Sequence, residues 1–359
     1  MNTVSDLPQS VLLPLAGRHR FRPVESLPWV VAALAYFLFP DSLALGTQVL
    51  IMALFALSLD LLLGYAGITT LGHAVFFGVG AYTAGILSVN GIGDPLAGLV
   101  LGAVVCGVFG LLCGVVILRT QGLALLMLTL GILLMCAEAA NRAASVTGGA
   151  DGLQGMVVGP VLGIFEFDMR ARVAYWYALI VLALVFVLVR ALVYSPFGRS
   201  LVGIQQNSQR MAAIGAPVRR RLVAVYGIAA AIAGIAGALN AQTNEFVGPT
   251  VLSLELSAGV LTMLIFGGVG RLYGAFVGAA FYMVLHDYLA RADPAYWYLW
   301  LGVLLIVVVM YGKGGILGLC DKTRVWLAYR RCGGAKDAAS VQAGAGGGSA
   351  EPMHAEGQP

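Results

Sequence analysis

The chain has 359 residues, of which 60% are hydrophobic and only 11% are charged, with a formal net charge of +4. A soluble globular domain carries about 25% charged residues, so this composition excludes a soluble domain. Glycine is abundant, with 48 residues, and lies inside apolar runs, where it lets membrane helices approach closely. The composition predicts an all-α, polytopic integral membrane protein.

Ten apolar runs predict about ten transmembrane helices, because a helix needs about 20 apolar residues to cross a bilayer. The runs lie near residues 28–40, 43–63, 71–89, 96–118, 122–140, 173–193, 222–241, 254–268, 274–290 and 295–311. The first run lacks a clear small-residue cleavage site, so we expect it to remain as a helix. We predict a cytoplasmic N-terminal segment at 1–27, a transmembrane domain at 28–318 and a cytoplasmic tail at 319–359, disordered from about residue 333.

The basic residues are distributed asymmetrically between the predicted loops. With the N-terminus inside, seventeen of the 21 Lys and Arg residues belong to the inner side, and the outer segments hold only Arg142, Arg170, Arg172 and Arg291. Basic loops favour the cytoplasmic face of a membrane. The asymmetry therefore predicts a multi-pass protein with both termini in the cytoplasm.

Three ionisable residues lie in or beside apolar runs, where such groups are costly and often functional. Asp60 is in the second predicted span and Glu138 is near the outer end of the fifth. Each acid either has a function or lies near enough to an interface to stay hydrated. His73 either binds a substrate or relays a proton, or it only hydrogen-bonds a neighbouring helix.

Glycine and threonine residues interrupt the apolar pattern between the second and third runs, where Gly64, Gly67 and Gly72 surround two threonines. This pattern predicts a broken membrane helix whose free backbone groups face a solute path. Elsewhere small residues recur at four-residue spacing, which predicts tight helix packing. These rows are Ala230, Gly234 and Ala238, and Gly270, Gly274 and Gly278.

The predicted inner loop at 195–221, which we call the coupling segment, carries five arginines and no acidic residue. Ser195 and Pro196 are typical of a helix start, and residues 215–217 (GAP) of a helix end. One interpretation is a short helix on the membrane surface that docks a partner. The other is a basic loop that only follows the charge bias of inner loops.

Motifs for chemistry are absent from the sequence. It contains no G-x-x-x-x-G-K-[ST] phosphate loop, no H-E-x-x-H and no G-x-S-x-G. Its five cysteines form no C-x-x-C pair, so we predict neither a metal site nor a disulfide framework. We expect no catalysis and no cofactor within this chain.

Five stretches together resemble the branched-chain amino acid permeases of the ABC importer class. They are residues 64–67 (GYAG) with 71–82 (LGHAVFFGVGAY), 118–122 (LRTQG), 147–153 (TGGADGL), 267–274 (GGVGRLYG) and the coupling segment. In the coupling segment, Ala212, Ala213 and Gly215 are similar to the small residues of the importer coupling motif, although its initial acidic residue is missing. The resemblance runs from about residue 45 to 318.

The resemblance implies a permease in the bacterial inner membrane that works by alternating access. It implies three partners besides membrane lipid: cytoplasmic ABC ATPase subunits that use the ATP, a second homologous permease chain, and a periplasmic solute-binding protein. No nucleic acid is expected. The implied ATPase-docking residues are Arg199, Gln205, Arg210, Met211, Ala212, Ala213, Ile214 and Gly215. The candidate translocation path includes Asp60, Gly64, Gly67, His73 and Gly80.

Other functions remain open on the sequence alone. A secondary carrier driven by an ion gradient would also show about ten helices, broken segments and buried acids. A membrane scaffold without transport is a weaker alternative. Within the importer class, related permeases carry urea, short amides or aromatic acids.

Overall fold

A computed structural model describes residues 27–38, 40–160, 171–294 and 296–311, together with residues 315 and 318. The predicted tail at 319–359, and all but Leu27 of the N-terminal segment, lie outside the described residues. Within them the chain forms thirteen α-helices. These are α1 Leu27–Leu38, α2 Leu43–Asp60, α3 Ala74–Val89, α4 Pro95–Ile117, α5 Leu123–Arg142, α6 Ala144–Thr147, α7 Arg172–Tyr194, α8 Pro196–Gln206, α9 Ser208–Ala213, α10 Val218–Asn244, α11 Leu254–Gly267, α12 Leu272–Ala292 and α13 Trp297–Tyr311.

Each of the ten predicted spans coincides with one helix, and the prediction of an all-α membrane protein is confirmed. Five helices are long and apolar enough to cross a membrane: α2 with its extension to Tyr65, α4, α5, α7 and α10. A sixth span results if α11 and α12, which meet at 115°, are counted as one. The three remaining predicted spans, α1, α3 and α13, are shorter helices. Helix α3, for example, has 16 residues and is about 24 Å long, whereas the hydrocarbon core of a bilayer is about 30 Å thick. The count of ten spans stays a prediction.

Several helices begin where a side chain satisfies the first free backbone amides. The Asp94 carboxylate accepts the Leu96 N–H at 3.0 Å, and Pro95 occupies the first turn, where its missing N–H costs nothing. Ser253 accepts the Leu256 N–H at 3.1 Å to begin α11. These caps matter because lipid offers the backbone no hydrogen bonds.

Helices α2 and α10 form the centre of the bundle. In the apolar stretch with which each could cross the membrane, 78% of α2 and 67% of α10 is buried inside the protein. Helix α10 packs between α3 and α4 through the predicted row of small residues. A methyl group on Gly234 would lie 2.6 Å from Cys106 Cβ, and Ala238 packs against Gly102. The packing role of this row is therefore confirmed.

Polar contacts join the segments at one end of the bundle. The Gln242 amide donates to the Pro95 carbonyl at 2.8 Å, and the Tyr177 hydroxyl donates to Gln242 Oε1 at 3.0 Å. Nearby in the chain, Leu153 and Val247 form an antiparallel bridge. All of these segments are predicted to lie on the outer side or at the outer ends of spans, so the structure groups the predicted outer segments together.

Candidate functional site

Helix α2 does not end as a regular helix but passes into a π-turn at Leu61–Tyr65 and then into irregular backbone before α3 begins. We call residues 61–73 the helix break. Gly67 has a φ of +71°, a backbone conformation that L side chains rarely adopt. The Ile68 N–H returns to the Leu62 carbonyl at 2.9 Å, which closes the turn. The predicted interruption at Gly64–Gly72 is therefore present.

Asp60, the last residue of α2, joins the helix break to the turn between α11 and α12. Its Oδ1 accepts the Gly270 N–H at 2.7 Å, and the side chain is fully buried. Gly64 makes this approach possible, because a Cβ there would lie 2.6 Å from Gly270 N and would also collide with the carboxylate. Asp60 Oδ2 has no hydrogen-bond partner among the described residues.

His73 closes the helix break immediately before α3 and is fully buried. Its Nε2 lies 2.7 Å from Ser58 Oγ, and Ser58 Oγ lies 2.6 Å from the Phe55 carbonyl oxygen. Because the serine's one proton goes to that carbonyl, Nε2 carries the ring proton and donates it to Ser58. Nδ1 is then an acceptor, and it has no partner in the described part of the chain. His73 thus bonds a neighbouring helix through one nitrogen only.

Two hydroxyl groups from other helices hold the far side of the break. Thr129 of α5 accepts the Leu71 N–H at 3.3 Å, and Ser257 of α11 accepts the Ala74 N–H at 3.0 Å. Both hydroxyls lie in otherwise apolar, buried surroundings. Sequence reasoning missed these two residues and Ser58. In the sequence each of these residues is only a single hydroxyl side chain inside an apolar run. That pattern does not predict which group the hydroxyl will bind.

Two residues singled out in the sequence lie away from the break. A Cβ on Gly80 would come within 2.6 Å of Gly234 Cα, so Gly80 lies where α3 crosses α10. Glu138 forms an ion pair with Arg142, and the two side chains are 56% and 80% exposed. Gly64, Gly67 and His73 lie in the helix break and Asp60 lies directly before it in contact with Gly64, whereas Gly80 lies outside the break.

The coupling segment folds as two helices rather than the one predicted. Asn207 takes extended backbone, with a φ of −158°, and its side chain caps α9 by accepting the Arg210 N–H at 2.8 Å. The chain therefore bends between α8 and α9. The helix start at Ser195 and the end at Gly215, with a φ of +84°, are confirmed.

The predicted docking residues face two directions. Seven are exposed, and Ile214 reaches 73% exposure, which is high for a large apolar side chain. These seven are Arg199, Gln205, Arg210, Ala212, Ala213, Ile214 and Gly215. Met211 instead packs back on α8, because a Cβ on Gly203 would lie 2.9 Å from its sulfur.

Gln205 connects the coupling segment to the helix break. Its Nε2 lies 3.5 Å from the Leu63 carbonyl oxygen, and a Cβ on Gly67 would lie 2.9 Å from its side chain. The break, the coupling segment and the Gly270 turn are all predicted to be inner segments. The structure brings these three together at the end opposite to the grouped outer segments.

Comparison with known proteins gives concordant similarities. The family described as the branched-chain amino acid transport system permease component matches residues 43–309. The high-affinity branched-chain amino acid transport system permease protein LivM of Escherichia coli K12 is 28% identical, over 76% of this chain and 69% of that protein. A probable branched-chain amino acid transport permease protein LivM of Methanocaldococcus jannaschii is 23% identical, over 73% of this chain and 89% of that protein. No solved structure matches the chain.

Proposed function

Because this chain belongs to the branched-chain amino acid transport system permease family, we propose that it is the membrane-spanning subunit of an ABC importer for branched-chain or related amino acids. A partner ATPase hydrolyses the ATP, and this chain supplies part of the solute pathway. One observation carries the proposal: Gln205 joins the coupling segment to the helix break. A surface that meets an ATPase is thereby in contact with the segment that interrupts the membrane helix.

The mechanism is alternating access driven through this contact. An ATPase drives the change only if its ATP-bound form binds one permease conformation better than the other. Movement of α8 acts on Leu63 and Gly67 through Gln205. The break then acts on the turn between α11 and α12 through the Asp60–Gly270 hydrogen bond. These two links connect the coupling segment with both irregular segments of the bundle.

The solute groups that fit the break are hydrogen-bond donors. Asp60 Oδ2 and His73 Nδ1 are acceptors without a partner in the described residues, and both side chains are buried. The ammonium group of an amino acid is a donor of matching chemistry. Because both acceptors are buried, a solute reaches them only in a second conformation, as alternating access requires.

A second homologous permease chain completes the pathway in this proposal. Helix α5 is the least buried of the five membrane-length helices, because only 17% of its apolar stretch is buried inside the protein. Its Thr129 nevertheless contacts the helix break. A partner permease on α5 would bring the pathway between the two chains to the break. A periplasmic binding protein delivers the solute at the opposite end, and both termini lie in the cytoplasm with the coupling segment.

Co-purification tests the proposal. Tagged wild type is isolated in detergent beside a variant carrying Arg210→Asp and Ile214→Asp, and mass spectrometry identifies the proteins that accompany each. Both positions are exposed, so the variant changes the docking surface without disturbing the Met211 contact that folds the segment. Arg291→Asp is the control, because it removes only an exposed ion pair with Asp287 on α12.

We expect wild type and the control to retain an ATPase and a second permease. The double variant should lose the ATPase and keep the second permease. Wild type that purifies without any ATPase, while it still carries solute, would overturn the importer proposal. An ATPase that stays bound to the double variant would place the docking surface elsewhere.

A further inference from the structure

A groove of about 760 Å³ lies between the end of α4 and the start of α10. Arg119, Arg219 and Arg220 line one part of it, and Leu111, Val115 and Val223 line another. We call it the basic groove. Its residues 217–220 are the end of the coupling segment, but none of its residues belongs to the helix break or is among the predicted docking residues. The contacts proposed for transport therefore do not use it.

No ion pair among the described residues neutralises the positive charge of the basic groove. The Arg219 guanidinium donates to the Val115 carbonyl at 3.0 Å and so bridges the two helices. Arg119 and Arg220 are exposed and form no ion pair within the described part of the chain. The coupling segment, to which Arg219 and Arg220 belong, contains no acidic residue that would compensate them. The groove is therefore suited to an anion.

The apolar wall of the groove indicates which class of anion would bind there. Leu111 and Val115 are 43% and 44% exposed, and both lie on a membrane-length helix. Leu111 lies six residues before the end of α4 at Ile117, which places it about 9 Å deeper along the helix axis than that end. A small soluble anion would gain nothing from this wall. A ligand with a phosphate at one end and hydrocarbon at the other would use both parts.

We propose that the basic groove binds an anionic phospholipid, with its phosphate at Arg119 and Arg220 and an acyl chain along Leu111 and Val115. Arginine pairs with phosphate through charge-assisted hydrogen bonds, and basic pockets between membrane helices are suited to anionic head groups. The bound lipid ties α4 to the first turn of α10, in which the coupling segment ends. The binding does not depend on the solute or on the partner ATPase.

Lipid retention by the purified protein complex tests this proposal. Native mass spectrometry measures binding of phosphatidylglycerol and phosphatidylcholine to wild type and to a variant with Arg119→Gln and Arg220→Gln. Arg291→Gln is the control on a distant exposed arginine. Val115→Trp fills the groove without altering its charge, and inorganic phosphate serves as a soluble competitor.

Wild type and the control should prefer phosphatidylglycerol, and the double variant should bind it about thirtyfold more weakly, since each of the two lost basic contacts contributes about 1 kcal/mol. Val115→Trp should weaken binding while all three arginines remain. Equal binding of the two lipids to wild type, or unchanged binding by both variants, would overturn the proposal. Displacement of the lipid by inorganic phosphate at equal concentration would show a site for a free anion instead.

Discussion

At the scale of single residues, Asp60 is an acidic side chain in a fully buried position. Its carboxylate is buried among apolar helices and accepts one backbone N–H, that of Gly270, across the bundle. Gly270 has a φ of +77° and lies in the sharp turn between α11 and α12. Asp60 therefore holds a turn that neither of those helices would hold alone, since lipid cannot replace the lost acceptor.

Replacing Asp60 by Ala should destabilise the protein, because the half-buried Gly270 N–H would lose its acceptor. Such a loss costs about 1–3 kcal/mol. Asp60→Asn keeps an acceptor oxygen and should retain most of the stability. The measurement is the thermal unfolding midpoint in detergent. Glu138→Ala is the matched acidic control and should change stability by less than about 0.5 kcal/mol, because its ion pair is exposed. Equal midpoints for Asp60→Ala and Glu138→Ala would contradict the role of Asp60.

Gly64→Ala should abolish uptake and lower the unfolding midpoint, because the added methyl group would meet both the Asp60 carboxylate and the Gly270 backbone. The Gly270 backbone cannot move away cheaply, and the Asp60 carboxylate is held in place by its hydrogen bond from the Gly270 N–H. Gly302→Ala in α13 is the matched control, since nothing lies within 4 Å of a Cβ there. Uptake by cells that carry each variant gives the comparison. Wild-type uptake by Gly64→Ala would show that the break tolerates separation from the Gly270 turn.

At the scale of elements, the positions of the helices follow from the sequence, because apolar runs and caps are local properties. The helix break was also predictable, since Gly64, Gly67 and Gly72 interrupt two apolar runs. The bend at Asn207 was not predicted, because Asn207 lies among polar residues that also suit the exposed face of one helix. Its capping bond to Arg210 competes with helix continuation.

The contacts between these elements could not be predicted from the sequence. Gln205 was predicted to be a docking residue, and the sequence did not show that its amide lies beside the Leu63 carbonyl. Thr129 and Ser257 hold the break from α5 and α11. Such pairs join residues far apart in the chain, and nothing in their local pattern specifies the partner.

Gln205→Ala should separate ATPase docking from transport. The other exposed docking residues remain, so the ATPase should still co-purify. Uptake should fall at least about tenfold if the link is the route of coupling, a loss of about 1.4 kcal/mol. Gln206→Ala, its exposed neighbour in α8, is the control and should transport normally. Unimpaired transport by Gln205→Ala would show that the motion travels by another contact.

At the scale of the whole molecule, the bundle has two distinct ends. One end groups the coupling segment, the helix break and the Gly270 turn, and the other groups the Leu153–Val247 bridge with the Tyr177, Gln242 and Pro95 contacts. The buried helices α2 and α10 lie at the centre of the bundle. This arrangement suits a subunit that receives energy at one end and solute at the other.

The source of energy for uptake tests the transport proposal most directly. Radiolabelled leucine is given to cells that depend on this chain for its uptake, after either the ion gradients are collapsed with ATP maintained, or ATP is depleted with the gradients maintained. We expect chain-dependent accumulation to persist in the first condition and to stop in the second. Accumulation that stops with the ion gradients and persists without ATP would contradict the importer proposal and identify an ion-driven carrier.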